Sequence, residues 1–202
     1  MYKTVVFDLD GTLLNTLTDL ADAGNRLCRK YGWPTHERQA YRYFVGNGIP
    51  KLVERLAPAD QRTPAVLEAA LADFKRDYGQ HLRDTTAPYP GIPEMLAKLK
   101  ANGVQLAVFS NKADALAKEV VKDYFGTQYF TIVRGQMTGV APKPAAEGTN
   151  ALLQALHADP ASTLYVGDSN VDVETAHNAN LLCCGAVWGF RTREELNAAG
   201  AE

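Results

Sequence analysis

Two aspartates near the N-terminus, Asp8 and Asp10, directly follow an apolar segment that reads as a buried strand, Thr4–Phe7. Side chains two residues apart in a strand share a face, so both carboxylates are expected on one side of the strand's carboxyl end. Ligands of open α/β sheets bind outside those ends. The alternative, a hairpin turn at Asp10-Gly11, needs a second strand immediately afterwards, but helical spacing follows. The pair is therefore predicted to be functional.

A second acidic cluster, Asp168 and Asp172, follows another apolar run that ends at Val166-Gly167. Taken alone, Asp168 or Ser169 could simply cap the next helix. If both strands end at the same rim, however, up to four carboxylates gather there and repel one another. A hard divalent cation with oxygen ligands relieves that repulsion, and Mg²⁺ is the usual one where a phosphate completes the shell. The two clusters together predict a Mg²⁺ site.

Two further residues, Ser110 and Lys143, have the chemistry that a phosphate group requires. Ser110 ends the apolar run 104–109 and presents a hydroxyl where backbone N–H groups at a helix start favour an anion. Lys143 lies between Pro142 and Pro144, in a loop with restricted backbone freedom. A simple helix cap and a solvated surface lysine are the alternatives when each is taken alone. Together with the carboxylates they form a set suited to phosphate chemistry.

The elements that must position these residues are short apolar runs that alternate with helical patterns. Continuous apolar character, rich in β-branched and aromatic residues, is typical of strands buried on both faces. Strand–helix alternation predicts an α/β fold, a Rossmann-like parallel sheet with helices on both faces. The predicted strands are 4–7, 104–109, 129–133, 163–166 and 184–188.

One long segment, residues 15–85, interrupts this alternation because it has helical periodicity and no strand signal. Three prolines separate its helices, and a proline-rich turn at 88–93 marks the return to the strand–helix pattern. The sequence therefore predicts an α/β core made of 1–14 and 86–202, with an inserted α-helical cap at 15–85.

Composition narrows the class of protein. The 202 residues are 46% hydrophobic and 22% charged, which excludes a disordered chain, and the net charge of −2 argues against a nucleic-acid binder. The three cysteines lack the spacing of a metal or redox site. No apolar run approaches the ~20 residues that cross a bilayer, and the N-terminus has no signal-peptide layout. We therefore expect a cytoplasmic protein with neither nucleic acid nor membrane as a partner.

The chemical residues lie in four segments that, in order, resemble the four motifs of the haloacid dehalogenase-like hydrolase superfamily. These segments are DLDGTL (8–13), SN (110–111), KP (143–144) and GDSNVD (167–172). The helical insert falls where that superfamily carries its cap, and the resemblance covers essentially the whole chain. Within the superfamily the chain is most similar to phosphoglycolate phosphatase-like proteins, through VGNG (45–48), YPGIPEMLAKLKANG (89–103) and AVWGFRTREEL (186–196).

The resemblance implies a catalytic role for each carboxylate. Asp8 would attack phosphorus and form an aspartyl-phosphate, and Asp10 would protonate the leaving group and then activate water. Mg²⁺ would be bound by Asp8, the backbone carbonyl of Asp10, and Asp168. Asp172 would be a further ligand or would orient the others.

The remaining motif residues would hold the phosphoryl group. The resemblance implies that Ser110 and the backbone of Asn111 bind its oxygens, and that Lys143 offsets negative charge on both the phosphate and Asp8. Phosphoryl transfer depends mainly on positioning and charge stabilisation, which agrees with these roles.

The implied function is a Mg²⁺-dependent phosphatase for a small-molecule phosphoester, with 2-phosphoglycolate as one candidate. A dehalogenase that attacks carbon has no need of an acid at Asp10, so the DLDGT form favours phosphoryl transfer. A phosphomutase of the β-phosphoglucomutase type is one alternative. A non-enzymatic phospho-acceptor resembling a response-regulator receiver is another, although receivers have about 120 residues and no helical insert.

Substrate choice would depend on the cap. The turn Gly46-Asn47-Gly48 precedes a helix and could present backbone N–H groups to an anion such as a carboxylate, with an ordinary Asn-Gly turn as the alternative. Relatives often have arginine near position 50, where this chain has Pro50 and Lys51, which weakens the case for glycolate phosphate in particular. Arg42 and Lys51 are candidate substrate contacts, unless they are only solvated helix charges.

Overall fold

The computed structural model describes residues 2–202, which form two compact units. One unit contains the residues up to Leu14 together with Pro88–Glu202, and the other is the intervening segment Asn15–Ala87. The first unit has an α/β architecture and the second is almost entirely helical.

The α/β unit is built on a five-stranded sheet whose strands are all parallel. In chain order the strands of the described chain are β1 (Thr4–Phe7), β2 (Leu14–Asn15), β3 (Ala87–Pro88), β4 (Gln105–Ala113), β5 (Phe130–Gln136), β6 (Thr163–Gly167) and β7 (Leu182–Gly185). The sheet order is β5-β4-β1-β6-β7, and the two-residue strands β2 and β3 pair separately.

The α-helices follow the predicted alternation. They are α1 (Leu17–Tyr31), α2 (Arg38–Phe44), α3 (Ile49–Leu56), α4 (Pro64–His81), α5 (Ile92–Ala101), α6 (Asp114–Phe125), α7 (Ala146–Leu156), α8 (Asn170–Asn178) and α9 (Arg193–Ala199). Short 3₁₀ turns occur at Ala59–Gln61 and Pro160–Ser162. Helices α1 to α4 belong to the helical unit, and α5 to α9 surround the parallel sheet.

Strand β1 is central, and its register brings three strand ends to one rim. Phe7 pairs with Val108 of β4 and with Val166 of β6. All four residues of β1 are buried, as expected for a strand covered on both faces. Three of the predicted motifs lie directly after β1 and β6 and in the last residues of β4, so the sheet itself gathers them.

Alternate residues of these strands build the core. Val6, Phe109 and Tyr165 pack in one cluster with apolar side chains of α7, α8 and α9. Their neighbours Val5 and Leu106 are also buried, and α5 and α6 contact β4. The predicted Rossmann-like sheet with surrounding helices is therefore confirmed.

The last strand differs from its prediction. The apolar run 184–188 predicts a strand, but β7 ends at Gly185. The chain then turns, because the Gly189 N–H donates to the Ala186 carbonyl, and the Trp188 indole donates to the Thr12 carbonyl at 3.0 Å. Tertiary contacts thus convert the apolar end of this run into a loop.

Helix α2 was not predicted, because only Tyr41 in its seven residues is buried and no periodic stripe is visible. Tyr41 fixes the helix against α1. A Cβ on Gly24 would lie 2.5 Å from the Tyr41 ring, and the Tyr41 hydroxyl donates to Asn25 Oδ1 at 3.0 Å. The helix is therefore set by packing rather than by its own pattern.

A buried carboxylate ties together the two ends of the helical unit. Asp19, in the first turn of α1, is 2% exposed. It accepts hydrogen bonds from the backbone N–H and the hydroxyl of both Thr85 and Thr86, at 2.5–3.2 Å. The charge is thus compensated by four donors, which is the usual condition for burying a carboxylate.

Replacing Asp19 with Ala is expected to lower the free energy of unfolding by about 3 kcal/mol, because it leaves buried donors without an acceptor. Asp22→Ala, at an exposed position on the same helix, is the matched control and should change stability by less than about 0.5 kcal/mol. Urea unfolding of the full chain measures both. Equal values for the two variants would contradict the assignment.

Two predictions from composition can be compared with the structure. Within residues 2–202 no helix is both long enough and apolar enough to span a membrane. The three cysteines are free thiols, with Cys28 and Cys183 buried and Cys184 exposed. Burial raises the pKa of the Cys28 thiol to about 11, which makes that thiol unreactive.

Candidate active site

Three predicted carboxylates meet at the rim of the sheet. Asp8 follows β1, Asp168 follows β6, and Asp172 lies in the first turn of α8. All three are buried, and one carboxylate oxygen from each lies within 4.8 Å of the others. Asp8 reaches this rim because its backbone N–H continues the sheet, donating to the Val166 carbonyl at 2.9 Å.

Lys143 is the cation of this group. Its side chain is 2% exposed, and Nζ lies 2.9 Å from Asp8 Oδ1 and 2.7 Å from Asp172 Oδ1. Nζ also lies 3.2 Å from the Tyr165 hydroxyl and 3.3 Å from the Phe109 carbonyl. A lysine buried in this way is held by three hydrogen-bond acceptors and by the charge of Asp8, so its position is fixed before any ligand binds.

Asp168 is oriented by two hydrogen-bond donors that the sequence analysis did not predict as site residues. The Thr12 hydroxyl donates to Oδ1 at 3.0 Å, and the backbone N–H of Phe190 donates to Oδ2 at 2.7 Å. Two glycines make room for this carboxylate. A Cβ on Gly11 would lie 2.3 Å from Asp168 Oδ2, and one on Gly189 would lie 2.2 Å from Asp168 Cβ.

Asp172 has both carboxylate oxygens engaged. Oδ1 pairs with Lys143, and Oδ2 accepts from the backbone N–H and hydroxyl of Ser169, at 3.1 and 2.7 Å, in a capping box at the start of α8. Of the two roles expected for Asp172, this bonding favours orientation of Lys143 over direct metal ligation.

The electrostatics of the cluster favour an added cation. Burial, reinforced by the charges of Asp172 and Asp10, raises the pKa of Asp8 to about 7 in spite of Lys143. Burial and the charges of Asp172 and Asp8 raise the pKa of Asp168 well above its ordinary value. The pKa of Lys143, which burial alone would lower, is instead raised by Asp172 and Asp8, so Lys143 stays charged. One lysine does not balance three buried carboxylates.

The donor set suits a hard divalent ion. All candidate ligand atoms are carboxylate oxygens, with no sulfur or imidazole in the cluster, which is the preference of Mg²⁺. Asp8 Oδ1 is buried and accepts no hydrogen bond of normal geometry from the described residues. Asp8 and Asp168 each bring a carboxylate oxygen into the cluster, and these residues fit a Mg²⁺ ion.

Ser110 and Asn111 are both buried, but they lie inside β4, which continues to Ala113, and not at the start of the next helix as the sequence predicted. The Ser110 hydroxyl accepts from the Lys112 backbone N–H at 3.3 Å, which leaves its own proton for a ligand oxygen. The Asn111 side chain pins the loop that carries Lys143. Its amide donates to the Lys143 carbonyl at 3.2 Å, and its oxygen accepts from the Lys143 N–H at 2.8 Å.

Asp10 is not part of the three-carboxylate cluster. Both its oxygens face Lys112, whose Nζ lies 3.1 Å from Oδ1 and 3.2 Å from Oδ2. Lys112 was not predicted as a site residue, although it directly follows the Ser110-Asn111 motif. A lysine directly after a motif predicted to bind phosphate could have been recognised as a candidate site residue from the sequence.

The predicted turn Gly46-Asn47-Gly48 lies in the helical unit, immediately before α3. Gly46 and Gly48 have φ values of 115° and 83°, a backbone region that L side chains rarely adopt. Arg55 of α3 fixes the turn, since it donates to the Phe44 carbonyl at 2.7 Å and to Asn47 Oδ1 at 2.8 Å. The Asn47 side-chain oxygen thus has a structural partner.

The two candidate cap cations lie on different helices of the helical unit. Lys51 is exposed and pairs with Glu54 one turn along the same helix at 2.7 Å, as expected for a solvated helix charge. Arg42 lies in the last turn of α2.

Four site residues escaped the sequence analysis, for different reasons. Thr12 and Lys112 lie inside or beside recognised motifs, so proximity could have found them. Tyr165 looks like an ordinary strand residue, and Phe190 acts through its backbone N–H, which carries no sequence signal. The contacts of these two are visible only in three dimensions.

The fold and the site together define an α/β enzyme with a carboxylate–lysine centre at the carboxyl rim of a parallel sheet. Comparison with known proteins identifies the enzyme family to which the chain belongs. The family model described as haloacid dehalogenase-like hydrolase matches residues 5–186. The chain therefore belongs to the haloacid dehalogenase-like hydrolases, and the expected resemblance is confirmed.

Similar proteins show which members of this hydrolase family the chain resembles most. The phosphoglycolate phosphatase of Neisseria meningitidis is 33% identical over 191 residues, covering 93% of this chain and 81% of that protein. The phosphoglycolate phosphatase of Aquifex aeolicus is 30% identical over 188 residues, covering 93% and 86%. A crystal structure from Lactobacillus delbrueckii subsp. bulgaricus superimposes with a TM-score of 0.93 at 29% identity, covering 100% of this chain and 92% of that one. The chain is thus a phosphoglycolate phosphatase-like hydrolase.

Proposed function

We propose that this hydrolase is a Mg²⁺-dependent phosphatase that acts on a small phosphorylated metabolite through an aspartyl-phosphate at Asp8. The observation that carries the proposal is the buried Asp8 carboxylate at the carboxyl end of β1, 2.9 Å from Lys143 and grouped with Asp168 and Asp172. A carboxylate nucleophile can approach an anionic phosphate only where positive charge offsets their repulsion.

In the first step a carboxylate oxygen of Asp8 attacks phosphorus while the bond from phosphorus to the leaving-group oxygen breaks. The carboxyl group of Asp10 gives its proton to that leaving oxygen. In the second step the Asp10 carboxylate takes a proton from water, the water oxygen attacks phosphorus, and the bond to Asp8 breaks. Phosphate leaves, and both aspartates return to their starting states.

Mg²⁺, when bound, would supply charge neutralisation for the phosphoryl oxygens and for Asp8. Asp8, the Asp10 backbone carbonyl and Asp168 would hold it, and Asp172 would act mainly by fixing Lys143. Thr12 and Phe190 support this assignment because they orient both oxygens of Asp168.

The phosphoryl oxygens would be held by Ser110, the backbone of Asn111 and Lys143. Support comes from the Ser110 hydroxyl, which accepts from Lys112 and so keeps a donor free, and from the Asn111 side chain, which locks the Lys143 loop. Preorganised donors of this kind stabilise the charge that develops during phosphoryl transfer.

For the substrate we propose 2-phosphoglycolate, the substrate that the names of the relatives specify. The helical unit would serve as the cap that recognises the leaving group. Within it, backbone N–H groups of the turn Gly46-Asn47-Gly48 are the candidates to meet the carboxylate. Arg55 supports this role because it holds the turn in one conformation.

A phosphate-release screen with purified protein and Mg²⁺ tests the function. The panel should pair 2-phosphoglycolate with alkyl phosphates that lack a carboxylate and with sugar phosphates. We expect kcat/KM to be highest for 2-phosphoglycolate. An isomerised sugar phosphate without free phosphate would identify a mutase, and the absence of any turnover would overturn the proposal.

A further inference from the structure

Lys112 is buried, although a lysine is rarely buried without a specific partner. Its side chain is 2% exposed, and Nζ contacts both oxygens of Asp10 at nearly equal distances of 3.1 and 3.2 Å. The Asp10 side chain is itself only 16% exposed. A cation placed symmetrically over the two oxygens of a carboxyl group fixes the plane of that group.

The local backbone is built to hold Lys112 in place. The pairing of β4 with β5 shifts register between Phe109 and Ala113, so the segment that carries Lys112 departs from regular strand geometry. Gly135 of β5 allows a close approach there, because a Cβ would lie 2.4 Å from the Lys112 carbonyl oxygen. The Lys112 N–H also donates to Ser110 Oγ. These contacts come from two strands, so the position is set by the sheet.

The site therefore has two separate lysine–carboxylate groups. Lys143 contacts Asp8 and Asp172, whereas Lys112 contacts Asp10. Under the proposed function these groups have different tasks: the first contains the nucleophile, and the second contains the residue that moves protons.

We propose that Lys112 is a positioning residue that orients Asp10 for both proton transfers; this inference rests on the proposed function. In the first step the Asp10 proton goes to the leaving-group oxygen as the phosphorus–oxygen bond breaks. In the second step Asp10 takes a proton from the attacking water. Lys112 keeps its own protons throughout and acts only through the geometry of Asp10.

This role has a signature that a structural lysine lacks. Proton donation matters for an alkyl phosphate, whose leaving alkoxide is unstable, and matters little for p-nitrophenyl phosphate, whose leaving group is a stable anion. Because kcat/KM reports the steps through formation of the aspartyl-phosphate, loss of Asp10 orientation should affect the two substrates unequally.

The experiment compares Lys112→Met with the wild-type protein on the best alkyl phosphate and on p-nitrophenyl phosphate. We expect kcat/KM to fall about 100-fold for the alkyl phosphate and less than about 5-fold for the aryl phosphate. Lys118→Met is the matched control, since Lys118 also pairs with an aspartate, Asp114, but on the exposed face of α6. It should leave both values unchanged. Equal losses on both substrates would overturn the proposal.

A double-mutant cycle with Asp10→Asn gives an independent readout. If Lys112 acts through Asp10, adding Lys112→Met to Asp10→Asn should cost less than about 3-fold more, whereas independent roles would multiply the two losses. Lys112→Arg, which keeps a two-point contact, should recover part of the alkyl activity. Circular dichroism confirms that each variant is folded, and residual aryl activity shows that its active site is intact.

The outcomes distinguish this inference from the proposed function. A wild-type protein that releases no phosphate from any substrate refutes the phosphatase itself. If the wild type is active but the two substitutions reduce kcat/KM independently, so that their fold-losses multiply in the double mutant, only the role of Lys112 is refuted.

Discussion

Replacing Asp8 with Asn is expected to reduce phosphate release by about four orders of magnitude or more, because an amide is a poor nucleophile toward phosphorus. The Asn side chain keeps the shape of the carboxylate but cannot form the aspartyl-phosphate. Steady-state phosphate release on the best substrate from the screen measures the effect. Retention of more than about 1% of the activity would exclude Asp8 as the nucleophile.

The same variant should remain folded, which separates chemistry from stability. Burial raises the pKa of Asp8 from its ordinary value of 3.8 to about 7, so the ionised carboxylate weakens the metal-free protein as pH rises through that interval. A neutral Asn removes this penalty, and Lys143 keeps Asp172 as a partner. At pH 7 in EDTA we therefore expect Asp8→Asn to have a Tm equal to or higher than that of the wild type.

Asp60→Asn is the matched control for this substitution, since Asp60 is exposed and lies in a 3₁₀ turn of the helical unit. It should change neither activity nor Tm. A fall in Tm for Asp8→Asn alone would show that the carboxylate stabilises the fold and would leave its loss of activity without a chemical interpretation.

Removal of divalent metal with EDTA is expected to lower turnover at least about 100-fold, and excess Mg²⁺ should restore it. The reason is the charge balance at the rim: Asp8, Asp168 and Asp172 are buried together, and Lys143 supplies one positive charge among them. Mg²⁺ should also raise the Tm, because an ion that binds only the folded protein stabilises it by mass action.

A graded variant tests where the ion binds. Thr12→Val removes the hydrogen bond to Asp168 Oδ1 but leaves every carboxylate in place. We expect it to weaken the apparent Mg²⁺ affinity about 10- to 100-fold, measured from the Mg²⁺ dependence of the Tm. Thr12→Ser keeps the hydroxyl and is the control. Full activity in EDTA, or identical Mg²⁺ affinities for Val and Ser, would contradict the assignment of the metal site.

The motif residues could be placed from sequence because they lie at the ends of strands. Once β1, β4 and β6 are recognised as parallel and adjacent, Asp8, Ser110 and Asp168 must share one rim. Strand recognition was reliable here because these runs are buried on both faces and are therefore continuously apolar. Elements such as α2, which was missed, and β7, whose end was misplaced, lack such a local signal.

Only the tertiary structure shows which lysine each carboxylate of the site contacts. Sequence motifs treat Asp8, Asp10, Asp168 and Asp172 as one acidic group. The structure separates Asp10 with Lys112 from the other three with Lys143, and it shows both oxygens of Asp172 already engaged. Such partitioning depends on side-chain directions, which residue spacing does not encode.

What the sequence determined by itself is the fold class, because strand periodicity and strand–helix alternation are local properties of the chain. The helical insert and the roles of the motif residues are predictions from the same kind of local signal. Only the tertiary structure decided which partner each charged group has. Asp19 bonded to Thr85 and Thr86, and Asp10 paired with Lys112, are contacts between residues 66 to 102 positions apart. The physical reason is that a buried charge must find a partner in space.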